Sequence, residues 1–236
     1  HVRRTLRWAF RAAARNAWIA RSPARAVANL HVHSGWGAGA ALLRCPTELA
    51  LRLDDTSVQV ALRERLGIRL TSNRRCGLRF RSGRICRLRR RFGAHAYCCP
   101  GTAGARIRFR HNPVAEEWCR FLRQAGRFVE LEQRDPSMGQ AARLDVVEYA
   151  SAEGTAAAYD VSVVTSLRAD RRFVARCAAT PGYAAAARVR HKLHTQYAGR
   201  VLGARLVPLV VEAGGRWHPD AELLLRRLAR AYVRRT

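Results

Sequence analysis

Lysine is nearly missing from this chain, and acidic residues are few. Lys and Arg together number 44 of the 236 residues, yet Lys192 is the single lysine, and only 17 acids oppose them, leaving a formal charge of +27. That imbalance lies outside the range of an ordinary soluble enzyme and calls for a polyanion as partner, DNA first and RNA second. The near-absence of lysine, beside abundant alanine and glycine, predicts a GC-rich coding sequence in which lysine drifts to arginine wherever a bare cation suffices. Part of the charge is then mutational bias rather than binding design. No apolar run is long enough to span a bilayer and no signal peptide is visible, so no membrane is expected as partner. The seven cysteines are an odd number scattered through a basic chain, which suits an intracellular, reduced protein, nuclear if DNA is the partner, better than a secreted disulfide scaffold. The first residue is His1 rather than methionine, which predicts a fragment of a longer product.

At this length the chain can bury one good core beside a smaller basic region, and composition divides it in three. Residues 1–70 are an Arg/Ala-rich helical region, a linker or the end of a preceding domain. Within it Trp8, Phe10, Trp18 and Ile19 are spaced for a helix or two. Asp54 or Asp55 caps a further helix carrying Val58, Leu62 and Leu66, which Gly67 stops. Residues 71–111 form a basic segment rich in Cys and His. Over 61–110 there are fifteen arginines against one acid, Glu64. From this stretch Arg84, Arg87, Arg89, Arg90, Arg91, Arg106, Arg108 and Arg110 are the candidates for phosphate contact.

Residues 112–236 are the most regular part. Asn112-Pro113 reads as an N-cap followed by proline at the first helical position, with Val114, Trp118, Phe121, Leu122 and Ala125 as one apolar stripe and Gly126 as the stop. Three β-like segments follow at 127–132, 143–149 and 159–164, separated by turn-rich links. A helix is expected from 183 to 201. An apolar strand at 205–212 suits the middle of a sheet, except that Pro208 requires a bulge or an edge. A closing helix runs from 219 to 233. The expected class is α/β (α+β): a three-stranded meander extended by an α-β unit, in the order α-β-β-β-α-β-α.

Asp160 interrupts an otherwise apolar strand, AAYDVSVV, and burying an ionised carboxylate costs several kcal/mol unless something compensates it. Strand alternation puts Asp160 and Ser162 on one face and Val161 and Val163 on the other. A meander can bring Glu132, Asp145 and Asp160 together at one end of the sheet. Clustered carboxylates repel unless a divalent cation neutralises them, and oxygen-only ligation suits Mg²⁺ or Mn²⁺.

The order and positions of these elements resemble the PD-(D/E)XK, or restriction-endonuclease-like, superfamily with its α-β-β-β-α-β core. More narrowly, the chain resembles the C-terminal part of a non-LTR retrotransposon reverse transcriptase polyprotein, in which a polymerase precedes a Cys/His knuckle and an endonuclease. The likeness runs over about 34–228. It is carried by SGWGAGAALLRCPTELALRL, VALRERLGIRL, the CG at 76–77, HAYCC, RHN, RLDVV, YDVSVV, the helix with Lys192 and Tyr197, and LVPLVVEAGGRWHPDA. It implies that Asp145 is the motif's first aspartate, with Leu144 in place of proline, and that Asp160 is the second metal-binding acid. Ser162 stands where the motif has lysine. Lys192 supplies that lysine from the next helix, at a spacing to Tyr197 one residue off the usual pattern. Glu132 resembles the acid ending the first strand.

The implied activity is Mg²⁺- or Mn²⁺-dependent endonuclease cleavage of DNA at an insertion target. The alternative is a catalytically decayed remnant that still binds nucleic acid. The family's knuckle, Cys-x2-Cys then His-x3-Cys, maps onto Cys76, His95 and Cys99, with Asn73 where the first cysteine belongs. A structural Zn²⁺ needs four ligands, so Cys86, Cys98 or His111 would have to substitute. Cys45, Cys119 and Cys177 read as small core residues.

Overall fold

Alternation along the strand Ala156–Val164 (β3) sorts its side chains between two helical layers. Tyr159 and Val161 enter one apolar core, whereas Ala158 and Val164 enter cores on the opposite face. The protein is described by a computed structural model covering residues 2–35, 38, 54–68, 75–80, 82–86, 95, 97–134, 143–149, 154, 156–198 and 204–234. Around β3 lie β1 (Val129–Arg134), β2 (Arg143–Glu148) and β4 (Ala204–Glu212), in the sheet order β1-β2-β3-β4. The first three form an antiparallel meander, and β4 runs parallel to β3. The fold is therefore mixed α/β around a four-stranded mixed sheet. β4 is an edge strand rather than a central one, which leaves room for Pro208, opposite Asp160 in the register. Its apolar run is nonetheless covered on both sides, Leu209 facing one core and Val210 the other.

The helices are α1 (Val2–Arg21), α2 (Ala24–Val32), α3 (Asp55–Arg65), α4 (Ala103–Arg106), α5 (Asn112–Gln124), α6 (Arg171–Ala179), α7 (Tyr183–His191) and α8 (Pro219–Val233). The side chain of Asp54 caps α3 by accepting from the Ser57 amide at 2.8 Å, and Gly67, at φ +68°, follows its end. Asn112 is not an N-cap. Its backbone is helical, and a π turn, Ile107–His111, joins α4 to α5 in one run. Pro113 lacks an N–H to donate, and the widened turn before it accommodates that loss.

On one face α5 and α8 pack through Ala115, Trp118, Leu122, Ala221 and Leu228. Trp118 lies at the centre, edge-on to Tyr159 at 5.9 Å between ring centroids; truncating it to alanine would cost about 3–5 kcal/mol. The other face is covered by α7, α6 and α2, through Ala185, Val189, Val174, Cys177 and Ala28. Two further points differ from the sequence reading. Helix α6, capped by Asp170 accepting from the Arg172 and Phe173 amides, adds an element between β3 and α7. Helix α2, assigned to the N-terminal region, is part of the sheet's second core. Cys119 and Cys177 are buried core residues, and Cys45 lies outside the described residues.

Candidate functional site

Two side-chain clusters have chemical potential. The first begins with a short hairpin. Gly77 donates its amide to the Cys86 carbonyl at 2.9 Å, Cys86 to Leu78 at 2.8 Å and Phe80 to Arg84 at 2.8 Å, with Gly83 turning the chain at φ +78°. These bonds bring Cys76 and Cys86 side by side. A helical turn then presents His95 and Cys99 together, the Cys99 amide donating to the His95 carbonyl at 2.8 Å. Cys76, Cys86, His95 and Cys99 are all buried, and their ligand atoms lie within 4.8 Å of one another. The Sγ atoms of Cys76 and Cys99 are 3.8 Å apart, and Cys86 Sγ is 3.5 Å from His95 Nε2. A Cys₃His set of this kind can hold a metal ion. Burial pushes the Cys99 thiol up to about 11, and the neighbouring thiols of Cys76 and Cys86 add to the rise. Metal binding would therefore release protons.

The fourth ligand position is thus filled by Cys86, and neither other candidate shares it. Cys98 is directed to the His95 carbonyl. His111 stands at the second cluster, its Nε2 3.1 Å from Asp145 Oδ2.

That second cluster forms where β2 and β3 part. Their paired residues include Val146 with Tyr159; just beyond, the Asp145 carboxylate accepts the Val161 amide at 2.6 Å. From the other side Lys192, only 1% exposed, reaches the same stretch of β3. Its ammonium pairs with the Asp160 carboxylate and donates to the carbonyls of Asp160 at 3.0 Å and Val161 at 3.2 Å. Three donors thus meet three acceptors, the condition for burying an ammonium. The other Asp160 oxygen, Oδ1, accepts from the Tyr197 hydroxyl at 2.9 Å. Burial lowers the Lys192 pKa to about 7, opposed by the negative charge of Asp145. The bond to Asp145 raises the His111 pKa, against the lowering effect of burial.

Asp145, Asp160 and Lys192 therefore converge, and Ser162, buried on the Asp160 face, accepts from Arg188 Nε at 3.2 Å. In β1, Glu132 falls between Leu131, paired with Val146, and Gln133, paired with Leu144. Its backbone is thus level with Asp145. The sequence left the compensation of Asp160 to a divalent metal; in the structure the compensating cation is Lys192. Sequence reasoning missed His111 and Arg188 as neighbours of the carboxylates, although RHN and the arginine one helical turn before Lys192 are both visible in the chain.

Among the arginine candidates, Arg84 and Arg108 are exposed. Arg106 donates to the Tyr97 carbonyl at 2.9 Å, and Arg110 stacks over the Tyr97 ring at 4.2 Å, so both build the basic segment as well as charging it. Arg87, Arg89, Arg90 and Arg91 lie outside the described residues. No described helix is long and apolar enough to cross a membrane. Compared with protein-family models and with curated proteins, the chain matches none.

Proposed function

We propose that this chain is the endonuclease module of a non-LTR retrotransposon-type protein, with a PD-(D/E)XK-like core acting on DNA and a zinc-holding knuckle ahead of it. The observation that carries the reading is the convergence of Asp145, Asp160, Lys192 and Tyr197 where β2 and β3 separate. A mixed sheet with an antiparallel meander and a fourth strand parallel to the third agrees with the core that the resemblance implies. The π turn from Lys192 to Gln196 also accounts for the odd spacing of Lys192 and Tyr197, because it absorbs one extra residue in a single helical turn.

Two carboxylates with hard oxygen donors suit Mg²⁺ or Mn²⁺ by their chemistry. Asp145 and Asp160 would hold the ion, which supplies charge for the phosphoryl oxygens and a more acidic bound water. Lys192, its donors engaged by Asp160 and Val161, would act through its positive charge, offsetting charge that develops in the transition state. Tyr197 fixes the Asp160 carboxylate. The arginine surface supplies affinity without sequence preference, and the Cys₃His cluster, a good match to Zn²⁺, would fasten the basic segment.

One observation favours the second reading, a decayed remnant that only binds nucleic acid. Both oxygens of Asp160 already have partners within the chain, so the carboxylate is satisfied without a divalent ion. One experiment decides between them: nicking of supercoiled plasmid by wild-type protein, Asp145→Ala and Asp160→Ala with Mg²⁺ or Mn²⁺. The enzyme reading expects nicking that either substitution lowers by about 10³-fold or more, with DNA affinity nearly unchanged. Wild-type protein that never nicks under either metal leaves the binding remnant.

A further inference from the structure

Arg188 is placed by its surroundings in a way that a solvated surface arginine is not. It stands four residues before Lys192 on α7, one helical turn away and on the same helix face. Its Nε donates to Ser162 Oγ at 3.2 Å. Ser162 is 8% exposed and lies two residues beyond Asp160 on the same face of β3, so the serine fixes the guanidinium beside the carboxylate centre. The positive charge of Arg188 is also felt at the Tyr197 hydroxyl, which itself holds Asp160.

The anchoring uses one edge of the guanidinium only. The two terminal nitrogens carry four N–H donors, and among the described residues neither has a hydrogen bond or an ion pair with a carboxylate. A planar, permanently charged fork held half-buried with its outer edge unused suits a phosphate oxygen pair better than it suits water. Lys192 cannot play that part, because all its donors are spent on Asp160 and Val161.

We propose that Arg188, held by Ser162, is the phosphodiester-binding cation of this centre, donating from its terminal nitrogens to non-bridging oxygens of the strand to be cut. Ser162 is then a positioning residue rather than a participant in chemistry. The inference rests on the nuclease reading for its effect on rate, but not for its effect on binding.

The test combines two measurements on the full chain. The first is single-turnover nicking of supercoiled plasmid with Mn²⁺ at saturating protein. The second is the salt dependence of affinity for a short DNA duplex, without divalent metal. Arg188→Gln is expected to lower the nicking rate about 100-fold, as loss of one donor to a developing charge does. It should also reduce the log–log salt slope by about 0.9, one phosphate contact. An arginine that only braces Ser162 would leave the slope unmoved. Ser162→Ala keeps the charge and should leave the slope as it is, while lowering the rate about 10-fold through lost orientation. Wild-type slope and wild-type rate in Arg188→Gln overturn the proposal while leaving the nuclease reading intact. If wild-type protein does not nick at all, the nuclease reading fails and the slope alone decides: a loss of about one contact upholds Arg188 as a phosphate ligand, and an unchanged slope overturns it. Should Arg188→Gln fail to fold, Arg188→Lys is expected to keep the slope but lose about 10-fold in rate. An Arg188→Lys protein with a reduced slope, or one that nicks at the wild-type rate, overturns the proposal.

Discussion

Lys192 and Tyr197 are five residues apart, yet both close on the carboxylate of Asp160, one with an ammonium and the other with a hydroxyl. A regular α-helix puts residues four apart on one face and carries the fifth well round the axis. The π turn corrects this: the Tyr197 amide donates to the Lys192 carbonyl at 2.9 Å, so the two side chains leave the helix on the same side. Such single π turns cost helix regularity and are frequently found at functional sites.

Tyr197→Phe removes the hydroxyl and leaves a buried Asp160 oxygen without its donor. Metal-free stability should fall by about 1–3 kcal/mol, the cost of an unsatisfied buried polar group. Chemical denaturation measures it; a change within about 0.5 kcal/mol would mean that the hydroxyl contributes no net stability.

The metal cluster makes a prediction that separates its ligands from their neighbours. Protein expressed with ample zinc should carry one ion per chain. Cys86→Ser should lower zinc affinity by about 100-fold or more, since one of four ligands is lost from a site whose binding energy is also folding energy. Cys98→Ser and His111→Ala should leave the stoichiometry unchanged, because Cys98 faces the His95 carbonyl and His111 faces Asp145. Elemental analysis of the four proteins settles it.

The elements of the sheet were legible because their signals are local. β3 carries a run of β-branched residues, α5 an apolar stripe, and α8 a proline at its first turn. Asp160 was legible for the opposite reason, as a charge where the pattern demands an apolar side chain. Lys192 stood out because it is the single lysine among 44 basic residues. What could not be read depends on geometry between segments. Cys86 joins the Cys/His cluster through a hairpin whose closing bonds are backbone to backbone, and no spacing rule singles it out from Cys98 and His111. Helix α6 has only nine residues, four of them buried or half-buried, so its periodicity is short. The π turns at 107–111 and 192–196 leave no compositional trace, and each shifts the register of the helix that contains it.

Acid should loosen the junction where α2 meets the turn after β4. Burial lowers the pKa of His31, His33 and His218, His33 to about 4, with the charge of Arg65 adding to the effect at His33. A pKa lower in the folded state than in the unfolded one gives stability that is present above pH 6.5 and lost as pH falls toward the folded value. For His33 the window runs from 6.5 to about 4, and the loss is about 2 kcal/mol after allowance for solvent screening. Urea midpoints should fall between pH 7 and pH 4.5, and His33→Gln should reduce that fall.

Nucleic-acid binding should be strong at low salt and steeply salt-dependent. Each phosphate neutralised releases a counterion, and a chain with a formal charge of +27 can engage many at once. Affinity for duplex DNA should fall by about 10³-fold or more between about 50 and 200 mM salt, with little preference for sequence. A binding isotherm indifferent to salt would rule out phosphate contact as the main source of affinity.

The ion pair of Lys192 with Asp160 should behave as a single unit. Lys192→Met strips a buried carboxylate of its cation, and Asp160→Asn strips a buried ammonium of its anion. Each should cost about 3–5 kcal/mol in metal-free protein, because the charge left behind has no water to turn to. The double variant removes both charges and keeps most of the volume, so it should lose far less than the sum of the two, with a coupling of about 2 kcal/mol or more in a double-mutant cycle. Divalent metal adds a second discrimination. If Asp160 is also a metal ligand, 10 mM Mg²⁺, a concentration on the order of a weak carboxylate site's affinity, should restore stability to Lys192→Met, where the carboxylate remains. It should restore none to Asp160→Asn, where the carboxylate is gone. Equal responses of the two single variants to Mg²⁺ would mean that Asp160 is buried for Lys192 alone.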